Sequence, residues 1–201
     1  PAVEFTYKIL LIGDVSVGKT SFLIRYMDNK LNKVPEPNIG VEFRAKSIVL
    51  QNGTVGKAQI WDTSGSEKYK SITTAHYRNS VGALLFFDLT DRISYENTLN
   101  WLKELQKHTD EGTVIILVGN KKDLCIENPA NRKVTEAEAI ELASKNGLFY
   151  RETSAKTGEN VKETFEFLIE TIYEITPSNL EERRKLEDII AKELDERVRK
   201  Q

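Results

Sequence analysis

The chain has 201 residues, 39% of them hydrophobic and 30% charged, with a formal net charge of -2. No apolar run nears the ~20 residues that span a bilayer, and the charge balance offers no basic field for nucleic acid, so the expectation is one globular domain with a full core. The single cysteine, Cys125, excludes an internal disulfide framework and fits a reducing, cytoplasmic compartment.

In chain order, Phe5, Tyr7 and Ile9 to Ile12 give a strand pattern with no signal-peptide leader. A helix is predicted at about Ser21 to Asp28. Arg44 to Leu50, Gln51-Asn52-Gly53 and Lys57 to Trp61 read as a hairpin, which makes one strand antiparallel. Val81 to Phe87 and Val114 to Val118 are unbroken apolar runs, the pattern of parallel strands buried on both faces. Further helices are expected at Ser94 to Lys107, Thr135 to Asn146 and Asn160 to Ile175. The second of these opens with Thr135 and Glu138 at capping-box spacing and stops before Gly147, which suits a left-handed helix end. Together these elements predict an α/β fold over residues 1–176.

Residues 177–201 differ in character. Ser178 and Glu181 stand at capping-box spacing, and Leu186, Ile190, Leu194 and Val198 repeat every fourth residue with Ile189 alongside. This predicts an amphipathic helical extension of roughly six turns at 3.6 residues each, its stripe packed on the domain or on a second copy. Its polar face is not predominantly basic, which argues against a membrane-surface helix.

The chemistry is carried by short motifs at strand ends. "GDVSVGKTS" (Gly13, Asp14, Val15, Ser16, Val17, Gly18, Lys19, Thr20 and Ser21) follows the first buried strand and precedes the first helix. Its glycines let the backbone wrap phosphate oxygens, Lys19 reaches the outer phosphates, and Thr20 offers a hydroxyl to magnesium. "NKKD", with Asn120, Lys121 and Asp123, ends the Val114 strand. A carboxylate there accepts from guanine's ring N–H and exocyclic amine, a donor pair that adenine lacks. "TSAK", with Ser154, Ala155 and Lys156, follows the strand near Phe149, and "DTSG" places Asp62 at the end of the hairpin.

In that order and at those separations the four motifs resemble a small GTPase of the Ras superfamily from about Tyr7 to Ile175. "IGVEF" at 39–43, "KAQIW" at 57–61, "KYKSIT" at 68–73 and "LLFFDLT" at 84–90 are similar to the Rab branch. The resemblance implies a six-stranded, mostly parallel sheet and a switch in vesicle traffic that binds GTP or GDP with Mg2+. It further implies Rab-type effectors, exchange factors and activating proteins as partners. It makes Lys19 a phosphate ligand, Thr20 a magnesium ligand and Asp62 part of the magnesium's outer shell. Gly65 becomes a γ-phosphate contact, Asn120, Lys121 and Asp123 the guanine side, and Ser154 to Lys156 its support. Ile39, Phe43 and Trp61 fall on the effector surface, with His76 at the position of a third aromatic reader; outside that surface His76 and His108 read as structural or solvated.

Four positions depart from the pattern. Ser66 stands where a glutamine usually orients the attacking water, and Asn38, with Pro35 and Pro37 before it, where a threonine usually binds magnesium. Val15 occupies a phosphate-loop position usually kept small, and Leu31 one that usually lays an aromatic ring on guanine. The departures predict slow hydrolysis and loose nucleotide retention. The alternative readings are a GTP-binding scaffold with negligible turnover and, less well matched by "NKKD" and "TSAK", a metabolic P-loop kinase. The usual carboxyl-terminal lipidated cysteines are missing from this sequence, so any membrane contact is expected to be indirect or through a terminus not present here.

Overall fold

A computed structural model describes residues 2–28, 42–64 and 74–176, together with 181, 184, 185, 188, 189, 191 and 192. The strands are β1 (Phe5–Gly13), β2 (Glu42–Val49), β3 (Val55–Asp62), β4 (Ser80–Asp88), β5 (Val114–Asn120) and β6 (Phe149–Glu152). The helices are α1 (Lys19–Asp28), α2 (Thr74–Tyr77), α3 (Arg92–Glu96), α4 (Thr98–His108), α5 (Lys122–Glu127), α6 (Glu136–Lys145) and α7 (Val161–Ile175).

The six strands form one sheet in the order β2-β3-β1-β4-β5-β6. Only β2 and β3 pair antiparallel; every other neighbouring pair is parallel. This is the fold class the sequence predicts. The unbroken apolar runs of β1, β4 and β5 are explained by helices on both faces of the sheet. On one face Ile9, Leu11, Ile60, Leu84, Phe86, Ile116 and Val118 pack against Phe22 of α1 and Phe165, Leu168, Ile169 and Ile172 of α7. On the other, Leu10, Ile12, Leu85, Phe87 and Leu117 meet Tyr95 of α3, Leu102 and Leu105 of α4, and Ala139 and Ala143 of α6. Each fully covered side chain of this kind contributes about 1.5–3 kcal/mol before chain entropy is subtracted.

Local chemistry sets the element ends. Thr135 caps α6 by accepting from the Glu138 N–H at 3.2 Å. At the other end of α6, Gly147 takes φ +70°, and the Leu148 N–H closes on Ala143 O at 2.8 Å. These are the bonds that end a helix on a left-handed residue.

Two regions differ from the sequence expectation, and part of the extension is described. The single helix expected over Ser94 to Lys107 is two, α3 and α4, divided at Asn97. It also begins earlier, because Asp91 caps α3 by accepting from the Ile93 N–H at 3.1 Å. The short helices α2 and α5 carry too few residues for an apolar period to reveal them. In the extension, residues 181, 184, 185, 188, 189, 191 and 192 are helical and exposed. Its expected stripe of Leu186, Ile190, Leu194 and Val198 lies outside the described residues. No helix among the described residues is long and apolar enough to cross a membrane.

Candidate functional site

The carboxyl ends of β1, β3, β5 and β6 lie along one edge of the sheet, the place where an open parallel sheet leaves a crevice. The loop after β1 is tightly held there. Gly13 has φ +147° and Gly18 φ +98°, and a Cβ on Gly18 would sit 2.3 Å from Nδ2 of Asn120. Glycine at 18 therefore lets the β5 end close onto the loop.

Asn120 uses that space. Its Nδ2 donates to Val17 O at 2.9 Å, and its Oδ1 accepts from the Thr153 hydroxyl at 3.1 Å and the Ala155 N–H at 3.3 Å. One buried side chain thus ties "GDVSVGKTS" to "TSAK". Asp123 accepts at Oδ1 from the Ser154 hydroxyl at 2.8 Å, which orients the carboxylate and leaves Oδ2 available for a donor pair. Lys121 adopts φ +66° and pairs with Asp88 at 2.8 Å. Asp88 is itself fixed by the N–H and hydroxyl of Thr90.

On the phosphate side Lys19 is 2% exposed and its ammonium donates to Gly13 O at 2.8 Å and Asp14 O at 2.7 Å. The Thr20 hydroxyl donates to Asp62 Oδ2 at 2.6 Å, so α1 and β3 bring a hydroxyl and a carboxylate together. Neutral and anionic oxygens beside a lysine are the donor set that suits magnesium and phosphate together. The residues present therefore fit a magnesium-bound guanine nucleotide.

Over residues 8–174 the sequence matches the family model described as the Ras family. It is 46% identical over 172 residues to Ras-related protein RGP2 of Oryza sativa subsp. japonica, covering 86% of this chain and 77% of that protein. Identity is 43% over 173 residues both to Ras-related protein RABA4d of Arabidopsis thaliana and to Ras-related protein Rab11A of Lotus japonicus. Those matches cover 86% of this chain and 76% and 74% of the respective relatives. The chain belongs to the Rab family of Ras-type small GTPases. Proteins of this family bind GTP and GDP with magnesium, hydrolyse GTP, and work as switches in membrane traffic.

Two of the residues expected at an effector surface, Phe43 and Trp61, lie on the described hairpin. Phe43 of β2 and Trp61 of β3 face each other across the antiparallel pair, and their rings stack at 5.2 Å. Phe43 is 50% exposed. Below Trp61 lies the Lys8 ammonium, 4.2 Å from the ring centroid, anchored to Ala75 O and Arg78 O. His76, expected on the same surface, is instead buried in α2, and its neighbour Tyr77 stacks on His108 at 5.1 Å. Burial pushes the Tyr77 hydroxyl up to about 12. His76 is buried and His108 half-buried, and among the described residues no cluster of three His, Cys, Asp or Glu could hold a metal.

Of the four departures, Val15 lies on the described phosphate loop and is 48% exposed. Leu31, Asn38, Ile39, Gly65 and Ser66 lie outside the described residues.

Three supporting residues were not singled out in the sequence. Arg25 of α1 donates from Nε to Ala155 O at 2.9 Å and from Nη2 to Lys156 O, pinning "TSAK" from beneath. Asn97 Nδ2 and Trp101 Nε1 both donate to the Asp14 carboxylate at 2.7 Å. No motif carries them, because each acts through a partner far away in the chain.

Proposed function

We propose that this protein is a Rab-type switch of membrane traffic in which hydrolysis is slow, so that the GTP-bound form persists unless an activating protein completes the site. The carrying observation is the Asn120 side chain, whose bonds to Val17, Thr153 and Ala155 join the phosphate and base loops into one guanine-nucleotide cradle. In this reading Gly13 to Ser21 hold the phosphates, Asp123 with Asn120 and Lys121 reads guanine, Ser154 to Lys156 support it, and Thr20 and Asp62 serve magnesium. Bound magnesium would neutralise phosphate charge. Lys19 would exchange its two loop carbonyls for phosphate oxygens.

Slow turnover is inferred from Ser66, too short to align water, from Asn38 in place of a threonine, and from the branched side chain of Val15 beside the phosphates. The exposed Phe43 and its stacked partner Trp61 support effector binding at β2 and β3. Such a protein would be cytoplasmic and peripheral on the cytosolic face of endomembranes. The extension at 177–201 would present its charged side to water and cover the Leu186, Ile190, Leu194 and Val198 stripe with protein, on the domain or on a second copy; Glu181, Arg184, Lys185, Asp188 and Lys192 are exposed, as is Ile189 at 53%, which leaves that apolar side chain for a second copy to cover.

Nucleotide extracted from freshly purified protein, followed by single-turnover hydrolysis with and without candidate activating proteins, tests the reading. Bound guanine nucleotide with slow, stimulable turnover supports it. Guanine nucleotide without stimulable turnover supports the scaffold alternative, and failure to bind GDP or GTP overturns both.

A further inference from the structure

Asp62 sits at the end of β3 and is 3% exposed. The residue after it is locked in place: Thr63 bonds Leu11 O through its N–H at 3.3 Å and its hydroxyl at 2.8 Å. That double attachment fixes the direction in which the chain leaves β3. It delivers Ser64 to the far oxygen of Asp62, where the Ser64 N–H donates to Oδ1 at 2.9 Å and the Ser64 hydroxyl to the same atom at 2.6 Å. Oδ2 takes the Thr20 hydroxyl at 2.6 Å.

A carboxylate offers about four lone-pair sites. Three are occupied by these bonds, two of them from Ser64. Magnesium retains several of its waters when it binds protein, and those waters need acceptors around it. Thr20 would offer its hydroxyl oxygen to the cation while donating to Asp62, and the acceptor capacity left on Asp62 would hold the cation's water.

We infer that Ser64 is a positioning residue for magnesium: its hydroxyl takes one of the two acceptor sites that Asp62 would otherwise keep open to magnesium-bound water, leaving one, and so loosens the cation and the nucleotide with it. The inference rests on Thr20 and Asp62 being the magnesium side of the site. It adds to that reading a residue whose removal strengthens binding, the reverse of what loss of an ordinary site residue does.

The test uses the full chain loaded with fluorescent GDP, whose release is followed as free magnesium is lowered with chelator. The Ser64→Ala protein is expected to hold nucleotide down to roughly tenfold lower free magnesium than the wild type, the low end of what partners of metal ligands contribute. Ser64→Thr, which keeps the hydroxyl, is expected to follow the wild type. Ser64→Cys, with a weaker donor of similar size, is expected to move with alanine and serves if the alanine protein does not fold. A midpoint for Ser64→Ala that is unchanged, or displaced to higher magnesium, overturns the inference. Release from the wild type that ignores magnesium altogether overturns the assignment of Thr20 and Asp62, and the role of Ser64 falls with it.

Discussion

The indole N–H of Trp101 donates to Asp14 Oδ1 at 2.7 Å, which fastens the second residue of the phosphate loop to α4. Asn97 holds the other oxygen at 2.7 Å, and the division between α3 and α4 falls at that residue. An anionic side chain beside a phosphate site is unfavourable unless donors engage it, and these two do so. Trp101→Phe keeps the ring and removes the donor. Hydrogen bonds to charged groups are worth about 1.5–3 kcal/mol, so GDP release measured by stopped flow is expected to quicken by about tenfold. Asn97→Ala is expected to act in the same direction, and the double variant to fall short of additivity because both donors serve one carboxylate. Unchanged release in both single variants would show that the loop does not depend on this clamp.

Intrinsic GTP hydrolysis is expected to be slower than in a Rab relative with glutamine at the Ser66 position, and Ser66→Gln is expected to restore it only in part. Losing one well-placed polar group commonly costs about 10²–10³ in rate, while Val15 and Asn38 stay as they are after the repair. Single-turnover rates for the two proteins decide it. A wild-type rate equal to that of the glutamine-bearing relative would refute the expectation.

Leu31→Phe is expected to slow GDP release several-fold. An aromatic contact contributes about 0.5–1.5 kcal/mol beyond its area, and here the proposed partner is the guanine ring. Off-rates of fluorescent GDP provide the measurement; identical rates would remove Leu31 from the base site.

Glu152 predicts an acid limit to stability. Its carboxylate is buried just before "TSAK", held by both terminal nitrogens of Arg132 at 2.8 and 2.9 Å and by the Tyr150 hydroxyl at 2.6 Å. Burial pushes its pKa up, but the Arg132 and Tyr150 hydrogen bonds outweigh this and hold it below the ordinary carboxylate value. A folded value below the unfolded one means that the stabilisation is complete above about pH 4.3 and is lost as pH falls through the folded value. Thermal melting is expected to drop in that acid window. Glu152→Gln is expected to cost about 2 kcal/mol at neutral pH and to flatten the acid limb. An equally steep limb in the glutamine protein would assign it to other carboxylates.

What the sequence made legible was local. "GDVSVGKTS" needs its residue types at fixed spacing between a strand and a helix, and the hairpin carries its own turn in Gln51-Asn52-Gly53. The supporting contacts are remote. Asn97 and Trp101 meet Asp14 across 83 and 87 residues, and Arg25 meets Ala155 across 130, so no window along the chain contains both partners. The division at Asn97 escaped notice because its backbone stays near helical, at φ -70° and ψ -14°, and the apolar period runs through it. The burial of His76 is not legible in the sequence for a related reason. His76 lies in a helix of four residues, too short for periodicity to say which face is covered.

The position of β1 at the centre of the sheet has a consequence for how the chain is made. Its two neighbours are distant, with Phe5 paired to Gly56 on one side and Leu11 to Leu84 on the other. The β2–β3 hairpin forms from nearby residues, but β1 must wait for both partners, and loop closure of this kind is what slows folding. At a synthesis rate of about 5–20 residues per second, roughly 4 to 15 seconds separate the emergence of β1 from that of β4. For that interval the apolar run Ile9 to Ile12 has at most the β3 side of its sheet, and the phosphate loop that follows it lacks its β4 support. Nucleotide capture therefore waits on strands that the ribosome delivers well after the phosphate loop itself.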